Sequence, residues 1–262
     1  MQTYDNTNEV SNIDFLDNTV TDKVNDGIIL TQRNTGLKFG TDALFLSAFV
    51  PEKAKQTVAA ELGSGTGIIS LLLLQRKKAD KIFAFEVQEC YARLTEHNAK
   101  QNGFSDRLSA ICKNVCDARS EDCGGEVDIV VSNPPYMLAN GGLHPQNEEK
   151  DIAKREVLGN IDDFAKCASR LLKWGGSFFC VYRPDRLPSL ITALKNANLE
   201  PKKLTLVYDN PTSKPCLVLL SARKGSGEEL NITRPLYLRA SADSKEYSKE
   251  AQAVFDGKPL EL

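Results

Sequence analysis

TVAAELGSGTGIISLLLLQ, Thr57–Gln75, passes from a β-branched and apolar segment through three alternating glycines into a second, almost wholly apolar run. A strand that ends in glycines and turns at once into a helix is the first half of a βαβ unit. The glycines permit the tight turn, and the first amides of the helix are left pointing outward. Units of this kind build an open, mostly parallel sheet with helices on both faces.

The spacing is Gly63-x-Gly65-x-Gly67, and Ile68 stands where a dinucleotide fingerprint has its third glycine. Glu61 lies just before the turn. A carboxylate there repels a pyrophosphate and attracts an ammonium group, so a cationic cofactor without phosphates fits better than NAD. S-adenosylmethionine carries such an ammonium. The bland alternative is a turn that serves only strand-to-helix packing. It loses ground to Glu86, which ends the next strand, Lys81 to Phe85, about twenty residues beyond the glycines, the offset that puts an acidic side chain on ribose hydroxyls. A helix from Gln88 to Gln101 follows, stopped at Asn102-Gly103. Arg107 to Cys112 reads as a third strand, with Asn114 or Asp117 at its end beside the expected cofactor adenine; a plain loop turn suits either residue equally.

The fourth strand runs into VDIVVSNPPYM, Val127–Met137. Its apolar center reads as a strand covered on both faces. Two prolines then end it, because neither can donate to a ladder, and they keep the Asn133 side chain and the Pro134 carbonyl available at the carboxyl end of the strand. Ligands of open α/β sheets bind at that end. Asn133 and the Pro134 carbonyl offer two acceptors to one NH2 group, and Tyr136 offers a flat face to a ring, which describes a pocket for a planar amino compound.

Upstream, residues 1 to 22 are polar and read as frayed or loosely docked. Gly27 to Gln32 reads as a strand of a short hairpin with a turn at Asn34-Thr35-Gly36. Ala43 to Val50 reads as a helix, for which Thr41 or Asp42 would serve as cap. Downstream, Glu148 to Glu156 is either a solvated helix face or a substrate-binding lid using Lys150, Lys154 and Arg155. Helices at Ile161 to Leu172 and up to Ala197 flank a strand from Ser177 to Tyr182. Leu204 to Tyr208 with Cys216 to Ala222 reads as a closing hairpin, and the tail holds a short strand at Leu236 and a polar helix from Ser244. The expected fold class is α/β, a Rossmann-like, mostly parallel seven-stranded sheet with a terminal antiparallel hairpin. Residues 1–50 form an N-terminal extension and 51–262 the main domain.

Composition narrows the remaining options. The chain of 262 residues carries a net charge of -2, which gives no strong global attraction to polyanions. The charge is uneven: residues 1 to 133 hold 14 basic and 19 acidic side chains, net -5, and the rest 19 and 16, net +3. Eight Lys or Arg against Asp185 and Glu200 between Phe164 and Lys203 suggest a basic face. Seven scattered cysteines and two histidines, without a Cys-x-x-Cys pair, argue for reduced thiols in the cytoplasm and against a disulfide framework or a zinc site. Cys216 reads as core, and Cys112 with Cys116 as core plus loop. No signal-like or membrane-spanning run is present, so neither membrane nor metal is expected.

Glu61 before the glycines, Glu86, and Asn133-Pro134-Pro135-Tyr136, in this order and spacing, resemble the class I S-adenosylmethionine-dependent amino-methyltransferases. Phe39-Gly40-Thr41-Asp42-Ala43-Leu44, Ala153-Lys154-Arg155-Glu156, Tyr182-Arg183-Pro184-Asp185-Arg186-Leu187 and Arg234-Pro235-Leu236-Tyr237-Leu238 with Glu246-Tyr247-Ser248 are similar to the bacterial tRNA adenine-N6 methyltransferases that modify the adenine next to the anticodon of a valine tRNA. The resemblance runs from about Asp26 to the end. It implies methyl transfer from S-adenosylmethionine to an exocyclic amine, with Asn133, Pro134 and Tyr136 catalytic and no metal or covalent nucleophile. Asp42, Glu61, Gly63, Gly65, Gly67, Glu86, Asn133 and Asn114 or Asp117 would bind the cofactor. Lys150, Lys154, Arg155, Arg183 and Arg186 would meet RNA, in a monomer. One departure is Lys113-Asn114-Val115-Cys116, where relatives often carry Gly-Asp, so the adenine contact stays open. Three alternatives remain: a ribosomal RNA base-amino methyltransferase, a protein glutamine N5 methyltransferase, and a non-catalytic RNA-binding relative. The protein methyltransferases carry a larger helical domain before the glycines, and cofactor binding in solution would single out a non-catalytic relative.

Overall fold

The computed structural model describes residues 16–25, 27–34, 40–52, 56–135, 159–258 and 260. The chain opens with a hairpin of β1 (Thr19–Asn25) and β2 (Ile28–Arg33), then α1 (Thr41–Phe49). Alternation follows: β3 (Val58–Leu62), α2 (Ile68–Gln75), β4 (Lys81–Glu86), α3 (Glu89–Gln101), β5 (Leu108–Cys112) and β6 (Val127–Ser132). Next come α4 (Ile161–Leu171), β7 (Leu172–Tyr182), α5 (Leu187–Asn196), β8 (Leu199–Tyr208) and β9 (Pro215–Lys224). The tail adds β10 (Asn231–Ile232), β11 (Leu236–Tyr237) and α6 (Lys249–Phe255).

The sheet is the expected α/β one. Its order is β8-β9-β7-β6-β3-β4-β5, with β9 antiparallel to both neighbors, and the two-residue strands β10 and β11 pair in parallel with β8. Strand alternation sends side chains into two cores. Ala59, Val131, Phe179 and Val181 face a cluster with α1, α2 and α6, whereas Ala60, Leu62, Val130, Phe178 and Cys180 face one with α4 and α5. After β3 the chain builds outward through β4 and β5 and then returns to the other side of β3 as β6. Strand order therefore reverses between β3 and β6, which opens a crevice at their carboxyl ends.

The N-terminal segment departs from the expectation. Thr19 to Asp22 belong to a strand, and the partner of β2 precedes it in the chain. The hairpin is held by burial of Ile28 and Leu30 in the core and by side-chain bonds from α3 and its C-cap. Asn98 and Asn102, one helical turn apart, each take a backbone N–H and give to a backbone carbonyl of β2. Asn98 pairs with Thr31 at 2.8 and 2.9 Å, and Asn102 with Ile29 at 2.9 and 2.7 Å. Two carboxamides thus stand in for a neighboring strand. The expectations for Cys112 and Cys216 as core are also corrected, since both are exposed. Cys216 precedes Val218, the last partner of β7 at Tyr182, so among the described residues no strand pairs with it on that side. No helix among the described residues is long and apolar enough to cross a membrane.

Candidate active site

The glycine turn is built for close approach. Gly63, Gly65 and Gly67 all have positive φ, at 72°, 54° and 79°. A Cβ on Gly67 would lie 2.8 Å from Thr95 Cγ2, so both the φ and the contact demand glycine. The N–H groups of Gly63 and Ser64 donate to the Phe85 carbonyl at 2.9 and 3.0 Å, which ties the turn to β4. Thr95 Oγ1 donates to Gly65 O at 2.9 Å and Asn98 Nδ2 to Thr66 O at 2.9 Å. Asn98 therefore holds both the turn and the hairpin.

Two carboxylates frame the turn. Glu61 is fully buried; Oε2 accepts from Ser70 N at 3.0 Å and from Ser70 Oγ, while Oε1 has no hydrogen-bond partner among the described residues. Burial pushes its carboxyl up to about 8, against the pull of the Ser70 donors. An unpartnered buried carboxylate oxygen on the wall of a cleft suits an ammonium group. Glu86 is buried at the end of β4; Oε2 accepts from Gly65 N and Oε1 from Gln88 N, each at 2.9 Å. These bonds aim it across the turn, where its second lone pairs suit a hydroxyl donor.

At the crevice, Ser132 Oγ donates to Leu62 O at 2.9 Å and so locks β6 to β3. The next residue, Asn133, donates through Nδ2 to Asp42 Oδ2 at 2.7 Å. Asp42 is not the helix cap. Gly40 takes that position in α1 without a side-chain bond, and Asp42 sits inside the first turn, with Oδ1 accepting from Ala43 N at 3.0 Å. Asp42, Glu61, Gly63, Gly65, Asn133 and Pro134 meet around an open cleft of about 320 Å³, together with Ser64, Thr66, Tyr91 and Pro135. Gly63 and Gly65, the Glu61 carboxyl and the Asn133 carboxamide thus share one space, and this residue set fits S-adenosylmethionine.

Other candidates lie elsewhere. Asn114 caps its own turn: Oδ1 accepts from Cys116 N at 2.9 Å, and its carbonyl from Asp117 N and Ala118 N. Asp117 is exposed, and neither lines the cleft, although the adjacent Lys113 N donates to Glu86 O at 3.0 Å and keeps the turn alongside. Arg183 forms a two-pronged pair with Asp185 at 2.9 Å, and Arg186 lies 4.0 Å from the same carboxylate, beyond the end of β7 and on the crevice edge of the sheet. Tyr136, Lys150, Lys154 and Arg155 lie outside the described residues. Among those described, no group of three His, Cys, Asp or Glu is placed to share a metal ion. Sequence reasoning missed Ser70, Thr95 and Asn98. The available signal was on α3, whose inward face carries Thr95 and Asn98, with Asn102 as its C-cap one turn on, at helical spacing where apolar residues would otherwise stand.

Comparison with known proteins agrees with this geometry. The profile of the methyltransferase small domain family matches residues 34–195. A tRNA1(Val) (adenine(37)-N6)-methyltransferase of Flavobacterium psychrophilum is 29% identical over 234 residues, covering 88% of this chain and 96% of the relative. The protein of the same name from Flavobacterium johnsoniae is 30% identical over 202 residues, covering 77% and 84%. Among solved structures, one described as a predicted O-methyltransferase of Agrobacterium tumefaciens superposes with a TM-score of 0.68 at 21% identity, covering 84% of this chain and 98% of that one. The 16S rRNA N2 G1207 methyltransferase of T. thermophilus, in complex with AdoMet and guanosine, reaches 0.53 at 20% identity, covering 79% and 50%. These two likenesses speak to the fold. With the profile match over most of the catalytic core and a 30% identical relative covered over most of its length, this chain belongs to the methyltransferase small domain family and, within it, to the tRNA1(Val) (adenine(37)-N6)-methyltransferases.

Proposed function

We propose that this enzyme uses S-adenosylmethionine to methylate the exocyclic N6 amine of an adenine in tRNA, the adenine next to the anticodon of a valine tRNA that its relatives' name specifies. The single observation that carries the reading is Asn133, held at the mouth of a cleft whose wall presents the Glu61 carboxylate and the glycine turn. In this reading Glu61 takes the ammonium at the amino-acid end of the cofactor beside the glycine turn, Glu86 the ribose hydroxyls, and the segment around Asn114 and Asp117 the adenine. The bound sulfonium supplies an electrophilic methyl carbon.

The protein's part is positioning. An amine conjugated to a purine is a weak nucleophile, so its lone pair must be directed. Asn133 Oδ1 and the Pro134 carbonyl accept its two hydrogens and fix that direction, and Tyr136 stacks on the base once it leaves its own stack. Orientation of this kind supplies on the order of 7 to 11 kcal/mol of a barrier. Asn133 has no basic atom, so the amine proton passes to water. Lys150, Lys154, Arg155, Arg183 and Arg186 are assigned to the RNA backbone. The proposal extends to a monomeric, cytoplasmic enzyme, in which residues 1–50 are an extension of a catalytic domain spanning 51–262.

The test is transfer of labeled methyl to unmodified total tRNA, ribosomal RNA and release factor in parallel, followed by nucleoside analysis. N6-methyladenosine in tRNA is the expected result. Label in ribosomal RNA or protein overturns the substrate, and cofactor binding without any transfer overturns the catalytic reading.

A further inference from the structure

The two ends of an asparagine carboxamide have nearly the same shape and opposite hydrogen-bonding character. A pocket that must accept hydrogens from an amine works only if the oxygen faces the amine, and a flipped Asn133 would oppose donor to donor. The chain resolves this ambiguity at the site itself. Asp42 offers acceptors and no donor, and its Oδ2 lies 2.7 Å from Asn133 Nδ2. The nitrogen end is thereby claimed, and the oxygen end is turned away from Asp42. A charge-assisted bond to the nitrogen also draws electron density toward the oxygen, which makes it a better acceptor.

Asp42 is held firmly enough for this task. It sits in the first turn of α1, seven of whose residues, Ala43 to Phe49, are buried. That helix is fixed by two cations at and after the end of α2, Lys78 at its far end and Arg76 nearer its first turn. Lys78 Nζ donates to the carbonyls of Ser47 at 3.0 Å, Ala48 at 2.8 Å and Val50. Arg76 donates to Leu44 O at 3.4 Å and to Val254 O at 2.8 Å, which joins α1 to α6, and the rings of Phe45 and Phe255 meet edge to face at 5.9 Å. A helix pinned at three places cannot slide to release the carboxylate.

We propose that Asp42 is a positioning residue for methyl transfer rather than a cofactor contact: it sets the orientation and raises the acceptor strength of the Asn133 carboxamide. The proposal rests on the reading of Asn133 as the holder of the acceptor amine.

Asp42→Asn tests it, because the shape is kept while the acceptor-only character is lost. Three readouts are taken: kcat and KM on tRNA, the Kd of S-adenosylhomocysteine by calorimetry, and the side-chain 1H–15N resonances of Asn133, assigned by their loss in Asn133→Ala. The expected outcome is a fall in kcat of about 100-fold, the scale of a misplaced reacting group. KM and Kd should stay within about 3-fold of wild type, as the two contacts are distinct. The Asn133 resonances should shift. An unchanged kcat, unchanged Asn133 resonances, or a Kd that weakens as far as kcat falls would each overturn the proposal. Asp42→Ser, which also removes the carboxylate, serves if the first variant does not fold. The resonance and calorimetric arms need no acceptor, so a wild-type enzyme inactive on tRNA overturns the substrate assignment and leaves the orientation of Asn133 separately decided.

Discussion

Replacing Glu61 by glutamine should change how stability depends on pH. In the unfolded chain this carboxyl ionizes near 4.5, whereas in the fold burial raises it to about 8. The native state therefore keeps a proton that the unfolded state has lost, and stability falls as pH rises from about 4.5 to about 8, with the full contribution present below that window. Each pH unit costs about 1.4 kcal/mol, so the whole window costs on the order of 5 kcal/mol and the interval up to pH 7 roughly 3. The Glu61→Gln variant would keep the shape and the oxygen that faces Ser70 but would carry no titrating proton. Urea unfolding at pH 5, 6, 7 and 8 measures this directly: stability of the variant minus that of wild type should rise by about 1.4 kcal/mol per unit across the window. A ligand ammonium that meets Oε1 favors the ionized form, so wild type should release roughly 0.9 proton more than the variant when S-adenosylhomocysteine binds at pH 7, read from calorimetry in buffers of different ionization enthalpy. Parallel stability curves for the two proteins, or equal proton release, would refute the reasoning that Glu61 is protonated in the free cleft.

Asn133→Ala should abolish turnover while the Kd for S-adenosylhomocysteine stays within a few fold; equal loss of both, read by methyl transfer and calorimetry, would make the residue structural. Gly67→Ala places a methyl 2.8 Å from Thr95 Cγ2 at a φ of 79°, and should destabilize the protein by about 1–3 kcal/mol in thermal unfolding. Thr95→Ala in the same chain should restore only part of the loss, because the backbone strain remains. Asn98→Ala removes the carboxamide that bonds Thr31 twice and Thr66 once in a fully buried setting, and should cost about 3 kcal/mol. Hydrogen exchange should show the loss concentrated in β1, β2 and the glycine turn, and uniform loss across the sheet would argue against the anchoring role.

Much of this protein was legible because its signals are local. The glycines at 63, 65 and 67 announce positive φ in the residue type itself, and all three adopt it. Apolar runs of strand length followed by apolar runs of helix length set the βα alternation, and β4, α2 and β6 lie within a residue of where the pattern puts them. The ends of those strands then had to fall on one edge, so Glu61, Glu86 and Asn133 were readable as residues of that edge from the pattern alone. The tail and hairpin were less readable, since residues 16 to 25 are polar and their strand pairs with β2, which is itself seated by the buried Ile28 and Leu30 and by Asn98 and Asn102 reaching across from α3.

Partnership over long separations was decided by packing alone. Asp42 and Asn133 are 91 residues apart, and nothing in either segment says that α1 would be fixed by Lys78 and Arg76 with its first turn against the end of β6. The same holds for Cys216, whose apolar neighbors suggested a core position until the length of β7 left it beyond the last paired residue. Residue type and spacing determine what the backbone does over a few residues, through dihedral preference and the periods of strand and helix. Which side chains then meet depends on where whole elements stop and how they stack, a property of the assembled layers that no short stretch contains.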